Sequence, residues 1–418
     1  MKLSSFGNRL TRSSGIVGLM EDLGSALNEN PKMIFMGGGN PARIPEMEAI
    51  FERQYKMILA TSEQLYSTTG VYQSPQGERG FRRDIAAMLK REFGWQLSEK
   101  NIAVSSGSQS AFYILFNLVA GQMPDGGFKS IHLPLTPEYI GYNDLGIGDN
   151  FFSATKPDIE RIGDHYFKYH VNFDDLAITD NTAALCVSRP TNPTANVLTD
   201  DEISHLDRIA EQAGIPLIID GAYGVPFPNI TFVDVKPHWN TNTILVLSLS
   251  KLGLPGVRTG IVIANEEVIQ AFSSANTVIN LACGNIGPAL TRDLFSSGEM
   301  IELSNNHIKP FYQARSGQVM ALFETAMGGT PYRIHLSEGA IFLWLWFEGL
   351  PITSEMLYQR LKDRGVLVVS GHHFFVGIEE QWPHQHECIR VSYVQDLTKI
   401  EKGVKIIAEE VMLAFQQG

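Results

Sequence analysis

The sequence has few cysteines, no long hydrophobic run and no excess of positive charge. Its three cysteines, Cys186, Cys283 and Cys388, are odd in number and far apart, which argues against a disulfide framework or a metal site. The longest apolar run, Ala340–Phe347, is far too short to cross a bilayer. The net charge of −12 argues against nucleic acid as the main partner. The first thirty residues lack the apolar core of a secretory signal, so we expect a cytoplasmic protein.

The chain does have length and a regular alternation of patterns. Its 418 residues, 44% of them hydrophobic, suffice for two or three folding units with large cores. Short β-rich runs alternate with helical patterns over residues 101–264, which predicts an α/β domain whose central sheet is mostly parallel and flanked by helices. The predicted strands are Asn101–Ser105, Ser130–Leu133, Ala183–Ser188, Pro216–Asp220, Thr243–Leu249 and Gly260–Ala264.

Helix signals and a change of pattern divide the chain. Thr199 is a predicted N-cap, and Gly214 is the predicted end of that helix. After residue 303 come a long helix, strand candidates Ala340–Phe347 and Val366–Ser370, and a final helix, Thr398–Phe415, typical of a smaller α+β domain. We therefore predict an N-terminal segment that joins the small domain, a large domain and a small C-terminal domain, with boundaries at residues 1–45, 46–303 and 304–418.

The most informative segment for chemistry contains Ser248, Lys251 and Arg258. It follows an apolar, β-branched strand that reads as buried on both faces, so Lys251 lies where solvent is scarce. Because burial disfavours the ammonium form, this lysine is a candidate Schiff-base amine. Arg258 and Ser248 are suited to holding a phosphate, which predicts pyridoxal phosphate as the cofactor. A strand that ends in a solvated Ser-Lys turn is the structural alternative.

Four further polar clusters follow the carboxyl ends of predicted strands, the edge at which open α/β sheets bind ligands. Residues 105–110 combine hydroxyls with a helix N-terminus, which suits a phosphate. Tyr139 can lie against a heteroaromatic ring, and the Asn192 amide can donate to a phenolate oxygen. Asp220 closes a buried strand and needs a partner such as a protonated pyridine nitrogen, while Tyr223 can donate beside Asn192. Each cluster alone also fits an ordinary cap, turn or packed side chain.

Two further positions carry little information when taken alone. Arg390 lies between apolar neighbours in a strand-like run, where an arginine holds either a substrate carboxylate or a structural ion pair. Tyr72 belongs to a Pro-Gly turn that enters a helix, which by itself indicates only a turn.

Together these motifs resemble the fold-type I pyridoxal-phosphate aminotransferases of the aspartate aminotransferase superfamily, in the family's order and over nearly the whole chain. Two departures from the family pattern are Ala195, where relatives often carry glycine, and Gly221, where asparagine is common. The matching motifs are Gly39-Asn-Pro41, Tyr72 with its Pro-x-Gly, Ser106-Gly107-Ser108, Tyr139, Asn192-Pro, Asp220-x-x-Tyr223, Ser248-x-x-Lys251 with Arg258, and Arg390.

The resemblance implies roles for these residues and a homodimer with shared active sites. Lys251 would hold the cofactor as an aldimine and move the α-proton, with Asp220 and Tyr223 as its catalytic partners, in ping-pong kinetics. The substrate would contact Gly39, Asn192 and Arg390, and no metal is expected. The implied cofactor contacts are Ser106, Gly107, Ser108, Tyr139, Asn192, Asp220, Tyr223, Ser248, Lys251, Arg258 and, from the neighbouring subunit, Tyr72.

The residues also favour an aliphatic amino donor. Dicarboxylate-specific relatives need a second cation near the substrate side chain, whereas Phe272–Leu290, which should approach the dimer interface, contains no Arg or Lys. Its apolar side chains favour an aliphatic substrate, consistent with the transfer from valine to pyruvate that the resemblance implies, a reaction of alanine and branched-chain amino acid metabolism. Overlap with alanine or leucine is expected, because a methylene is worth only ~1–3 kcal/mol. The candidate pocket residues are Val278, Ile279, Leu281 and Ile286, with Ile16 and Val17 from the N-terminal segment.

Three other classes of function stay open at this point. A C–S lyase, a decarboxylase or a broad alanine/aromatic aminotransferase of the same fold would use the same cofactor residues. A nucleotide-binding oxidoreductase is suggested by Gly37-Gly-Gly-Asn40, but no G-x-G-x-x-G follows an early strand. A DNA-binding regulator would need a basic helix-turn-helix segment, and none precedes residue 40.

Overall fold

The computed structural model describes residues 1–11 and 15–417. A π-helical turn, Ser304–Ile308, joins two consecutive helices into one long element. The α-helices are α1 Ser5–Thr11, α2 Gly15–Glu29, α3 Pro45–Leu59, α4 Ser62–Thr69, α5 Arg79–Phe93, α6 Ser108–Val119, α7 Asp200–Ala213, α8 Glu266–Asn280, α9 Ile286–Ser297, α10 Glu299–Leu303, α11 Lys309–Ala326, α12 Ser354–Asp363 and α13 Leu397–Gln417.

The strands form two larger sheets and one short parallel pair. They are β1 Ile34–Phe35, β2 Ile102–Ser105, β3 Gly121–Gln122, β4 Phe128–Leu133, β5 Phe152–Ala154, β6 Asp158–Ile162, β7 Tyr166–His170, β8 Thr182–Ser188, β9 Leu217–Asp220, β10 Thr243–Ser248, β11 Gly260–Ile263, β12 Arg333–His335, β13 Phe342–Trp346, β14 Val366–Leu367, β15 Val369–Ser370 and β16 Cys388–Ser392.

The central sheet has the order β2-β11-β10-β9-β8-β4-β3, with β5 beside β4. Pairing is parallel from β10 through β9 and β8 to β4, and β11 runs antiparallel to both of its neighbours. Alternate side chains of β10 enter two different cores, because successive residues of a strand face opposite sides. The α/β prediction and its six strands are confirmed, each strand to within two residues at either end.

The ends of α7 follow local sequence signals. The Thr199 side chain accepts a hydrogen bond from the Glu202 backbone N–H, and the Glu202 side chain accepts one from the Thr199 N–H in a capping box. Gly214 ends the helix with a φ of 64°, a left-handed conformation that glycine adopts without a steric penalty. Both predicted boundaries of this helix are confirmed.

The second sheet has the order β15-β16-β13-β12-β7-β6. The hairpin β6–β7 therefore pairs with C-terminal strands, although residues 158–170 lie within the predicted large domain. The predicted strand Val366–Ser370 divides in two, because β14 pairs with β1 while β15 pairs with β16. The β1–β14 pair joins the N-terminal segment to the C-terminal part, and the three domain boundaries stay a prediction. Among the described helices, none combines the length and apolar character that a membrane crossing requires.

Candidate active site

A cavity of about 520 Å³ lies at the carboxyl ends of the central strands, as predicted. The loops after β4, β8, β9 and β10 contribute to its lining together with the first turns of α6 after β2, and β16 adds an arginine from the other sheet. The predicted site residues that line it are Gly39, Ser108, Tyr139, Asn192, Asp220, Tyr223, Ser248, Lys251, Arg258 and Arg390.

Lys251 follows β10 in a short 3₁₀ turn, and its amine points into the cavity. The Nζ atom donates to the Gly39 carbonyl oxygen at 2.5 Å and lies 5.1 Å from the centroid of the Tyr223 ring. Burial, followed by the positive charge of Arg390, lowers the pKa of Lys251 to about 8, although Asp220 acts in the opposite direction. An appreciable fraction of this lysine is therefore the neutral, nucleophilic amine near pH 8.

Asp220 is the last residue of β9, and its carboxyl group accepts two hydrogen bonds. Tyr142 Oη donates to Oδ2 at 2.8 Å, and the Ala222 backbone N–H donates to Oδ1 at 2.9 Å. Burial raises the pKa of Asp220, and no basic side chain of the described residues forms an ion pair with it. A buried carboxylate held in this way is suited to a cationic group of a ligand.

Arg258 and the N-terminus of α6 form a positively charged corner of the cavity. Gly107 is the N-cap with a φ of 92°, and a Cβ atom there would come within 2.1 Å of an Arg258 guanidinium nitrogen. Arg258 donates to the Pro255 carbonyl oxygen at 3.3 Å, and no acidic side chain in the described part of the chain pairs with it. Free N–H groups of the helix, the Ser108 position and this guanidinium together fit a phosphate.

Arg390 is buried on β16, with 4% of its surface exposed. Its guanidinium donates to Asn192 Oδ1 and to the Gly37 carbonyl oxygen, each at 2.7 Å, and lies 4.1 Å from the centroid of the Phe342 ring. Burial lowers its pKa to about 10, and its Nε has no hydrogen-bond partner within the part of the chain that the structure describes. The guanidinium has only neutral partners among the described residues, so it can bind a carboxylate of a ligand.

Several predicted residues lie away from this cavity. Tyr72 is 80% exposed, and Ser106 directs its hydroxyl towards the sulfur of Cys283 at 4.0 Å. Val17 is 37% exposed and outside the lining, and the Ile16 side chain lies outside the described part of the chain. The predicted apolar pocket residues do not line the cavity of a single chain either: Val278, Ile279, Leu281 and Ile286 are all exposed.

Other residues at the site were not predicted. Tyr142, which contacts Asp220, lies three residues after Tyr139 in a 3₁₀ turn. This spacing from a predicted site residue is the sequence feature that could have indicated Tyr142. Glu138 is buried beneath the same turn, which no local pattern indicates for an acidic residue. Met20 and Gly24 of α2 also line the cavity, and their spacing of four residues places them on one face of the helix.

The two departures from the family pattern lie in different local environments. Ala195 is fully buried with a φ of 63°, the left-handed region that favours the glycine of relatives, and the structure does not explain the alanine. At Gly221 a Cβ atom would lie 2.7 Å from Cδ2 of Leu247, so a larger residue there would require the Leu247 side chain to shift. Neither position supplies a side chain that faces the cavity.

Comparison with known proteins identifies the family. Residues 160–407 match the family model of aminotransferase class I and II. The chain is 49% identical over 417 residues to valine–pyruvate aminotransferase of Escherichia coli K12, covering 100% of both chains. The crystal structure of valine-pyruvate aminotransferase AvtA from Salmonella typhimurium LT2 is 47% identical, with a TM-score of 0.89 over 97% of this chain and 100% of that chain. Aspartate aminotransferase from Thermus thermophilus, 19% identical with a TM-score of 0.77 over 98% and 100% of the chains, shares the fold. The chain with this cavity therefore belongs to the class I and II aminotransferases.

Proposed function

We propose that this chain is a pyridoxal-phosphate-dependent valine–pyruvate aminotransferase, which converts L-valine and pyruvate into 3-methyl-2-oxobutanoate and L-alanine. The observation that carries the proposal is one cavity that contains a lysine with a lowered pKa, a buried carboxylate and two arginines that form no ion pair with an acidic side chain of the described residues. The 49% identity to a valine–pyruvate aminotransferase over the whole chain supports the substrate pair.

The residues present fit pyridoxal phosphate, on which class I and II aminotransferases depend. Arg258 and the N-terminus of α6 would hold the phosphate, and Tyr139 would face the ring. Asp220 would face the pyridine nitrogen. Asn192 Oδ1 already accepts from Arg390, so its Nδ2 is the group left to donate to the phenolate oxygen. When bound, this cofactor supplies an electron sink for the electron pair left by the departing α-proton.

Lys251 is the group of the chain that can take and return that proton. Its pKa of about 8 leaves enough neutral amine to act as nucleophile and base, and the Gly39 carbonyl oxygen orients Nζ. Tyr223 keeps its phenolic proton because burial raises its pKa. The Tyr223 hydroxyl is therefore a hydrogen-bond donor, while Lys251 handles the proton at the substrate α-carbon. A keto acid in the second half-reaction would receive the amino group by the reverse steps, which gives ping-pong kinetics.

The cavity favours an aliphatic side chain. Its cationic lining residues among the described ones are Lys251, Arg258 and Arg390, and each already has a role at the cofactor or the α-carboxylate. A second substrate carboxylate would therefore have no cation to pair with. Met20 and Phe35 provide apolar surface at the same cavity. We expect the kcat/KM for valine with pyruvate to exceed that for aspartate by at least about 100-fold, measured by keto-acid formation; a preference for aspartate would contradict the proposal.

Capture of the cofactor should depend on pH through Lys251. The pKa of this amine is about 8, and only its neutral form is nucleophilic. The rate constant for binding pyridoxal phosphate to cofactor-free protein should therefore fall about tenfold for each pH unit below 8 and level off above it. Stopped-flow absorbance between pH 6 and pH 10 would measure this profile, and a rate that is constant across the range would show that Lys251 is not the limiting group.

Arg390→Lys should weaken binding of the substrate carboxylate. A lysine has no planar fork for bidentate binding, and it cannot donate to Asn192 and Gly37 as the guanidinium does. We expect the KM for valine to rise by about 30- to 100-fold with a smaller change in kcat, equivalent to about 2–3 kcal/mol. Arg43→Lys, at an exposed ion pair with Glu48, is the matched control and should leave KM unchanged.

We also propose that the active enzyme is a cytoplasmic homodimer with shared active sites. In the single chain Tyr72 is 80% exposed, and the apolar Val278 is 87% exposed. A second copy of the chain would cover these side chains. Tyr72 would then reach the phosphate of the neighbouring subunit, and Val278 would approach its substrate pocket. The three cysteines are free and buried, as suits a reducing compartment.

A further inference from the structure

A second buried carboxyl group lies beneath the proposed cofactor site. Glu138 is 1% exposed, and its Oε1 accepts a hydrogen bond from the Ser188 backbone N–H at 2.8 Å. Its Oε2 lies 2.5 Å from Ser188 Oγ and accepts from the Tyr139 backbone N–H at 3.2 Å. The chain of contacts continues from Ser188 Oγ to Tyr142 Oη at 3.4 Å, and from Tyr142 Oη to Asp220 Oδ2 at 2.8 Å.

Counting hydrogens assigns a direction to this chain of contacts. Each hydroxyl carries one hydrogen, and Tyr142 uses its own for Asp220. The contact between Tyr142 Oη and Ser188 Oγ therefore needs the Ser188 hydrogen. Ser188 has this one hydrogen for two contacts, so both are hydrogen bonds only when the Glu138 carboxyl group supplies a proton to the 2.5 Å contact. An ionised Glu138 would accept the Ser188 hydrogen. Ser188 Oγ and Tyr142 Oη would then face each other at 3.4 Å without a hydrogen between them.

The charges around Glu138 favour the same state. The ionisable groups near it are Asp220, Tyr142 and Cys186, none of which carries a positive charge, and no described basic side chain forms an ion pair with it. Burial, followed by repulsion from Asp220, raises the pKa of Glu138 to about 8, against the opposing effect of its hydrogen bonds to Ser188.

We propose that Glu138 is a positioning residue that remains a neutral carboxylic acid at neutral pH and, through Ser188 and Tyr142, holds Asp220 as the one anion that faces the pyridine nitrogen. The inference rests on the proposed function, since it assigns Asp220 to the cofactor. A neutral acid donates a hydrogen bond where a carboxylate would only accept, and it adds no second negative charge behind Asp220. Of the two buried carboxyl groups, Glu138 is then the neutral acid and Asp220 is the anion.

Infrared difference spectroscopy tests the protonation state directly. The wild-type minus Glu138→Gln spectrum at pH 7 should contain the C=O stretch of a protonated carboxylic acid, which should be replaced by carboxylate bands well above pH 8. Glu52→Gln, at an exposed glutamate that pairs with Lys56, is the matched control and should remove carboxylate bands only. Carboxylate bands in the Glu138→Gln difference at pH 7 would overturn the proposal. The measurement does not need the cofactor, so it can fail or succeed independently of the proposed function.

Binding of pyridoxal phosphate to cofactor-free protein tests the positioning. In Glu138→Gln the side-chain NH₂ group can donate to Ser188 Oγ in place of the carboxylic acid. It cannot accept the 3.2 Å hydrogen bond from the Tyr139 N–H, which is the one bond lost. Glu138→Gln should therefore keep the Kd for pyridoxal phosphate within about threefold of wild type. Glu138→Ala and Tyr142→Phe should each raise Kd about tenfold or more, because they leave buried polar groups unpaired. A Glu138→Gln variant as weak as Glu138→Ala would overturn the role of the neutral acid. If wild-type protein bound no pyridoxal phosphate at all, the proposed function itself would fail.

Discussion

Replacing Lys251 with alanine is expected to reduce transamination of valine and pyruvate by at least about 10⁴-fold. In the proposed function the Lys251 amine both binds the cofactor aldehyde and acts as the base at the substrate α-carbon, and losing both roles together accounts for the size of the effect. Its Nζ lies in the cavity, hydrogen-bonded to Gly39, and burial lowers its pKa to about 8. Steady-state kinetics with a coupled assay for the keto acid product would measure the loss.

The same variant should also lose covalent attachment of the cofactor. Borohydride treatment of wild-type protein with pyridoxal phosphate, followed by peptide mapping, should place the pyridoxyl group on Lys251 and on no peptide of the alanine variant. Lys405→Ala is the matched control, because Lys405 is exposed on α13 and pairs with Glu401 outside the cavity lining. Activity within tenfold of wild type, or a label on another lysine, would reject the assignment of Lys251.

Asp220→Asn should lower kcat/KM by about 10³-fold while the protein still binds the cofactor. The substitution keeps the shape of the side chain at the end of β9 but removes the negative charge that would face the pyridine nitrogen. Without this anion the nitrogen is protonated less often, and the ring accepts the electron pair from the α-carbon less readily. The Tyr142 hydroxyl can still donate to the amide oxygen, so the fold around the site should persist.

Cofactor absorbance separates this effect from loss of binding. Asp220→Asn should retain a visible band with pyridoxal phosphate, and the change of that band on addition of valine should become slow. Asp201→Asn, at an exposed position in the first turn of α7, should behave as wild type in both measurements. If Asp220→Asn kept kcat/KM within tenfold of wild type, Asp220 would not be the partner of the pyridine nitrogen.

Much of the cavity lining was predictable because its residues follow strands that local patterns identify. Buried, β-branched runs predict β8, β9 and β10, and a polar residue at the end of each one has to reach the same edge of a parallel sheet. Asn192, Asp220 and Lys251 meet at the cavity for this reason. The ends of α7 were predictable from Thr199 and Gly214, whose effects are local.

Contacts between distant segments were not predictable in the same way. The hairpin β6–β7 joins the C-terminal sheet, and Met20 reaches the cavity from α2, because pairing and packing partners depend on the arrangement of the whole chain. Glu138 resembles an ordinary polar residue of a loop in the sequence, and the structure reveals it as a buried carboxyl group beside Ser188 that has no basic partner among the described residues.

The sequence by itself determined the strand-helix order, the sheet edge that carries the polar clusters and the residue types available there, since these depend on local periodicity and on connections along the chain. The tertiary structure decided which of those side chains interact, because hydrogen bonds such as that from Tyr142 to Asp220 and from Arg390 to Asn192 join residues 78 and 198 positions apart. It also decided the protonation properties of the site. Desolvation and neighbouring charges act through distances in space, which periodicity along a chain does not contain.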